Sequence, residues 1–286
     1  MKPVAAHVAC IVLLGLDVGS RTVRLWLLLR GLRCDVPLVH VAASIGASDA
    51  AAAITPMRLG GGPTQIAVLA RAGVPVARGA SALGLEAVAT YPAALLVGAW
   101  LAVRGGGSWR RAVAPLVPRA PARLTAIVAL LLALSVLLLW GARRLRRRLP
   151  ATTGAMARPN VREELVLMAR LPPGIAVAAV ALGAVHVVAR VAMLPVLTRA
   201  LPAPPPLDVA ALGSYALIYG QLVAPTPSGA GLVEYLGARG VAGSFGTHAV
   251  WVLGWWRAYA TFGGVLALVP AAYGRLRLRG PTQPVA

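Results

Sequence analysis

Apolar residues arrive along this chain in long runs, and polar residues in short interruptions. That pattern predicts helices surrounded by lipid, not strands or soluble amphipathic helices. The first run is 3–29, interrupted by Asp17 and Arg21, which stand four apart and so share one helical face as a possible pair. Val36–Ile54 follows, a small-residue helix carrying Asp49. It breaks at Thr55-Pro56-Met57-Arg58-Leu59-Gly60-Gly61-Gly62-Pro63 and resumes over Thr64–Ala72. Ser81–Val103 carries Glu86 inside and Trp100 near one end, and 105–123 reads as a loop of glycine, proline and arginine. Leu124–Trp140 is the clearest span, closed by Arg143-Arg144-Leu145-Arg146-Arg147-Arg148. A hydrophilic connector with Glu163 and Glu164 leads to Gly174–Leu197, which holds His186 and Arg190. Beyond the turn Pro202–Pro206 lies Leu207–Ala224. It breaks at Pro225-Thr226-Pro227-Ser228-Gly229-Ala230-Gly231 and resumes toward Gly240. The last run, 245–272, ends in Arg275, Arg277 and Arg279.

Arginine clusters next to apolar runs mark the cytoplasmic side. If Arg143–Arg148 and Arg275–Arg279 both lie there, an even number of crossings separates them, yet three apolar stretches do. Making 207–240 a re-entrant hairpin broken at its proline-glycine turn repairs the count, and 36–72 repairs the first half in the same way. The two hairpins then enter from opposite faces, as in transporters built from inverted repeats. The competing reading is two ordinary helix–loop–helix connections with their loops outside the membrane.

Composition narrows the class further. The chain has 286 residues, of which 58% are apolar and 13% charged, and its mean hydropathy is +0.76. Soluble domains run near ~45–50% apolar and ~25% charged. At about 20 residues per span, the length allows roughly six to eight membrane segments and no soluble domain of ordinary size. Lys+Arg number 28 against 8 Asp+Glu, a net +20. In a soluble protein this would suggest nucleic acid; here the basic residues flank apolar runs beside anionic headgroups, and no nucleic-acid partner is expected. The stretch 4–18 runs directly into Arg21, Arg24, Arg30 and Arg33, so a retained segment is expected rather than a cleaved leader.

Lys2 is the sole lysine, so no Walker A loop exists, and neither HExxH nor GxSxG occurs. Gly229-Ala230-Gly231 lacks the third glycine of a dinucleotide fingerprint. Cys10 and Cys34 stand far apart and read as small apolar fillers. Neither an enzyme, a metal nor a cofactor is expected.

Ionised groups inside a membrane are costly and default to functional candidates. Asp35, Asp208, Glu163 and Glu164 lie in or beside connectors, whereas Asp17, Asp49, Glu86 and Glu234 fall within or beside apolar stretches. Glu234 sits three residues after Gly231, in the first turn of the resumed helix. There it serves either as a cap favoured by the helix dipole or as a functional charge. Arg257, in Trp255-Trp256-Arg257-Ala258-Tyr259, is placed to pair with Glu234 or hold a phosphate, or else to snorkel from an aromatic belt. His186 and Arg190 share a helical face, with a structural role favoured for the histidine. Gly15 and Gly19 match a helix-packing spacing that 31 glycines make unremarkable.

Three stretches carry a resemblance. Asp17-Val18-Gly19-Ser20-Arg21-Thr22-Val23-Arg24 with Leu28-Leu29-Arg30-Gly31 resembles the early arginine-rich helix end of the lysylphosphatidylglycerol synthase transmembrane region family, whose members are flippase-like membrane domains. Thr55-Pro56 through Gly60-Gly61-Gly62-Pro63-Thr64-Gln65, with Leu69 and 71–74, resembles its first proline-glycine motif. Pro225-Thr226-Pro227-Ser228-Gly229-Ala230-Gly231-Leu232-Val233-Glu234 resembles its most diagnostic one, usually Pro-x-Pro-Gly-Gly-x-Gly-x-x-Glu. Ser228 replaces the usual first glycine, and Gly62 and Gln65 stand where many relatives carry Glu and Arg.

The resemblance implies an all-α polytopic membrane protein that moves lipids between leaflets of the inner membrane. Residues 1–286 form one domain, with inverted halves 1–140 and 174–280 joined by a cytoplasmic connector, 141–173. Its partner is an anionic phospholipid or polyprenyl-linked lipid. The implied site comprises Glu234, Arg257, Arg58, Gly60, Gly61, Gly62, Gln65, Pro225, Pro227, Gly229 and Gly231. One rival reading is the non-catalytic membrane subunit of an aminoacyl-phospholipid or glycolipid synthase whose catalytic part is another chain; homo-oligomers are also open. The other is a structural membrane protein, in which the charged positions tolerate substitution.

Overall fold

The computed structural model describes residues 2–113, 166–222, 224–235, 245 and 248–262. Leu124–Trp140, Arg143–Arg148, Glu163, Glu164 and Arg275–Arg279 lie outside the described residues, and with them the anchors of the side-counting argument.

The described elements are helices. They are α1 (Pro3–Gly31), α2 (Leu38–Ile54), α3 (Gly61–Arg71), α4 (Val76–Val113), α5 (Pro173–Thr198), α6 (Leu207–Gly220) and α7 (Ala249–Arg257). The last continues as a π-helical turn, Ala258–Phe262. Proline sets several boundaries. Pro3 and Pro173 occupy first-turn positions where no amide hydrogen is needed. Thr55, which precedes Pro56, is pushed into extended backbone and stops α2. The expected loop at 105–123 is corrected over 105–113, where α4 continues through three glycines. Glycine weakens a helix by about 1 kcal/mol without ending it, and no proline occurs between Pro92 and Pro115.

α1 and α5 pack along one another at the centre, with α4 and α6 against α5, and α2 folds back on α3. α1, α5 and the 76–104 part of α4 are long and apolar enough to cross a membrane. α2 and α6, with 17 and 14 residues, fall short of the ~20 needed and end at the two proline-glycine breaks.

Polarity is distributed inside out. Val103 is 85% and Val250 86% exposed, whereas Asp17, Arg24, Asp49, His186, Gln221 and Ser228 are buried. Such a surface suits lipid, and polar side chains turned inward find each other there. The protein is an all-α, membrane-embedded one. Cys10 and Cys34 are both buried, as fillers should be. Gly15 and Gly19 meet no neighbour among the described residues, so their spacing packs against none of the described helices.

Gly183 is the close approach that matters. A Cβ there would stand 2.8 Å from the Ala89 carbonyl oxygen on α4, and backbone cannot swing aside. Alanine normally favours a helix over glycine by about 1 kcal/mol. Gly183→Ala is expected to destabilise instead, by about 1–3 kcal/mol, the usual range for overpacking. Gly84→Ala on α4, where a Cβ meets nothing, serves as the control. Detergent melting in which both variants match or exceed the parent would refute this contact.

Candidate functional site

The site begins with spacing. Asp17, Arg21 and Arg24 fall at i, i+4 and i+7 on α1, a polar stripe on an apolar helix. Asp49 projects from α2, Glu86 from α4, and His186 and Arg190 from α5. The structure pairs them across helices. Arg21 donates to both Asp49 oxygens, at 2.8 and 2.9 Å, in the two-pronged geometry that suits guanidinium and carboxylate. Arg24 donates to Glu86. Asp17 bonds the His186 ring through Nδ1, with Arg190 3.9 Å from its second oxygen. The pair expected within one helix, Asp17 with Arg21, is therefore corrected. Each finds a better partner on another helix, because neighbours on a single α-helix rarely reach two-pronged contact.

The two proline-glycine breaks meet. Pro56 and Pro227 form an isolated antiparallel bridge. The Ser228 amide donates to the Thr55 carbonyl at 3.2 Å, and the Met57 amide to the Ala224 carbonyl at 3.3 Å. The crossing is tight enough to force left-handed backbone on non-glycine residues: Met57 (φ 52°), Arg58 (φ 59°) and Ser228 (φ 47°). Such conformations cost of order 1–3 kcal/mol each and persist only where the surroundings impose them. The usual glycine of the family motif is thus explained at Ser228, since glycine takes positive φ freely. The serine adds bonds instead. Its Oγ donates to Gln221 Oε1 at 3.0 Å and lies 3.3 Å from Arg58 Nη1, which also donates to Gln221 at 2.9 Å.

Beneath the crossing lies a cavity of about 330 Å³, within the range of small-ligand sites. Arg21, Arg24, Arg58 and Arg190 line it, with Asp49, Glu86 and His186. Counting Asp17 behind His186, four guanidiniums face three carboxylates among the described residues, an excess of one positive charge. Arg24 is 2% exposed, and its Nε and Nη1 have no hydrogen-bond partner among the described residues. Two buried, unmatched donors on a cavity wall suit an anion. On the far side the π turn offers the Ala260 carbonyl, to which Arg190 donates.

Of the residues expected from the motifs, the cavity takes Arg58, Gly61 and Gly62. Gly60 sits against Thr55 and donates to its hydroxyl, and Gln65 is buried in α3. Pro225, Pro227, Gly229 and Gly231 shape the second break, the last two with positive φ. Glu234 and Arg257 lie away from the cavity and brace that break. Glu234 accepts from the Gly231 amide at 2.9 Å and pairs with Arg257, whose Nη1 donates to the Ser228 carbonyl at 3.1 Å. Cap and charge partner are both present in one side chain. No motif places Arg21, Arg24, Glu86, His186 or Arg190 at the site; the available signal is the spacing of Arg21 with Arg24 and of His186 with Arg190, three and four residues apart in apolar helices, and for Glu86 only its place inside an apolar run.

Comparison with curated proteins and with solved structures finds no match. A family model described as lysylphosphatidylglycerol synthase TM region matches residues 4–267. With nearly all of its length matched, and with both proline-glycine motifs at the crossing, the chain belongs to the lysylphosphatidylglycerol synthase transmembrane region family.

Proposed function

We propose that the protein is a multi-pass, non-catalytic transporter of the inner membrane, flippase-like in action, which holds an anionic or lipid-linked polar headgroup in the arginine-lined cavity. The observation that carries this reading is an excess positive charge gathered beneath two crossed, broken segments, with large apolar side chains exposed on the outside of the described helices. Irregular backbone at membrane depth is tolerated where it lines a polar cavity, and the acyl chains of a bound lipid would stay in the bilayer while the headgroup enters. α2 and α6 would be the entering arms of two re-entrant hairpins in inverted halves.

Proteoliposomes with a fluorescent phosphatidylglycerol in one leaflet test this. The expected result is exchange faster than in protein-free vesicles, suppressed by Arg24→Gln. Rates equal to protein-free vesicles for phosphatidylglycerol, its lysyl ester and a polyprenyl phosphate alike would refute it.

A second reading has one support, the family's description as the transmembrane region of a synthase. Here the chain would be the membrane subunit of an aminoacyl-phospholipid or glycolipid synthase. A catalytic chain that co-purifies in mild detergent would favour it, and leaflet exchange by the isolated chain would count against it.

A further inference from the structure

Among the described residues lining the cavity, His186 is the one whose side chain ordinarily changes charge between about pH 5 and 8. Its Nδ1 is bonded to Asp17, an acceptor, so the neutral ring carries its proton there and leaves the Nε2 lone pair without a partner among the described residues. The charges around it are fixed. Asp17, Arg21 and Arg24 come from α1, Asp49 from α2 with Arg58 beyond it, Glu86 from α4 and Arg190 from its own helix. α4 and α6 add the phenols Tyr91 and Tyr219, and the π turn adds only the Ala260 backbone. Arg257 on α7 is occupied by Glu234.

This arrangement sets what enters. A charge on His186 in the empty cavity would enlarge an excess that is already positive. A phosphodiester, with one negative charge, cancels that excess and leaves nothing for a proton to offset. A phosphate monoester, whose second ionisation lies near pH 6, carries two. It would leave one negative charge uncompensated in a low-dielectric site, the situation a proton on Nε2 removes.

We propose that His186 is a proton site coupled to a dianionic phosphate monoester headgroup, so that headgroup and proton occupy the cavity together. The inference rests on the reading of the cavity as a headgroup site. The proton comes from solvent, adds to the Nε2 lone pair and breaks no other bond. Asp17 holds the ring and stabilises the imidazolium. By linkage, the headgroup raises the ring's proton affinity by the same factor by which the proton raises the headgroup's affinity. Movement of this headgroup would then follow a proton gradient.

Calorimetry on the detergent-solubilised full chain, run in two buffers of different ionisation enthalpy, counts protons taken up on binding. At about pH 8, dodecyl phosphate is expected to bind with uptake of about one proton. Dihexanoyl phosphatidylglycerol, a monoanion, should bind with uptake near zero. His186→Gln should bind dodecyl phosphate more weakly and without uptake. Asp17→Asn keeps a hydrogen-bonding side chain, gives a second test should that variant not fold, and should take up clearly less than the parent. Binding without uptake, or unchanged uptake in whichever variant folds, overturns the coupling alone; the latter would place the proton on the phosphate. Failure of the parent to bind either lipid overturns the headgroup reading and the coupling with it. Inorganic phosphate binding as tightly as dodecyl phosphate, with the same uptake, keeps the coupling but removes the lipid as its source.

Discussion

Arg58→Met is expected to cut headgroup exchange by on the order of 10–100-fold while leaving a folded protein. Among the described residues, Arg58 is the cavity guanidinium whose nearest carboxylate has both oxygens held by another arginine. Asp49, 3.6 Å away, is already engaged by both prongs of Arg21. Arg58 itself donates to Gln221 and Ser228 on the opposite break. Methionine keeps the unbranched stem and removes the charge, so the excess that attracts an anion disappears. A hydrogen bond to a charged group contributes about 1.5–3 kcal/mol, which as lost headgroup affinity is roughly one to two factors of ten. Folding should suffer less, because Ser228 still donates to Gln221 and the backbone bridge between the breaks remains. Arg58→Asn separates charge from conformation. Asparagine tolerates the left-handed region better than arginine, so this variant should fold at least as well as Arg58→Met and transport as poorly. Exchange within about threefold of the parent in both variants, judged against such a loss, would remove Arg58 from the site.

Arg58 also shows how far the chain can be read without its fold. Lengths and types of the elements were legible from apolar runs. Val36–Ile54 and Gly174–Leu197 lie within two residues of α2 and α5. Proline and glycine marked both breaks, because their constraints are local. What was not local was not legible. The crossing joins Thr55 to Ser228, and nothing in either segment announces the other. Asp17 and Arg21 are a plausible helical pair by spacing, yet their choice of His186 and Asp49 depends on where α5 and α2 pass α1. α4 runs past 105, the start of the expected loop, for a different reason. Three glycines in a row resemble a loop, but each weakens a helix by only about 1 kcal/mol, and with no proline between Pro92 and Pro115 the α4 backbone bonds continue through them.

The brace behind the second break should show its role in a mutant cycle. Glu234→Gln can still accept from the Gly231 amide, so the cap itself loses only the charge–dipole interaction of about 0.3–1 kcal/mol. The larger loss is the partner of Arg257. Their side chains are 21% and 16% exposed, so water screens part of the interaction. The cost should therefore fall below the 3–5 kcal/mol of breaking a fully buried pair, at about 1–3 kcal/mol. Arg257→Gln should cost at least as much, since it also releases the Ser228 carbonyl. The double variant should lose clearly less than the two singles added together, because each single leaves one orphaned charge behind and the double leaves none. Exchange is expected to stay low in all three, for a mechanical reason. Ser228 is held in left-handed backbone at the crossing, and with its carbonyl less firmly fixed the bridge to Thr55 and the hydroxyl contact with Arg58 loosen together. Detergent melting and leaflet exchange on the three variants decide it. Additive stability losses, together with parental exchange in Glu234→Gln, would reduce the pair to an incidental surface contact.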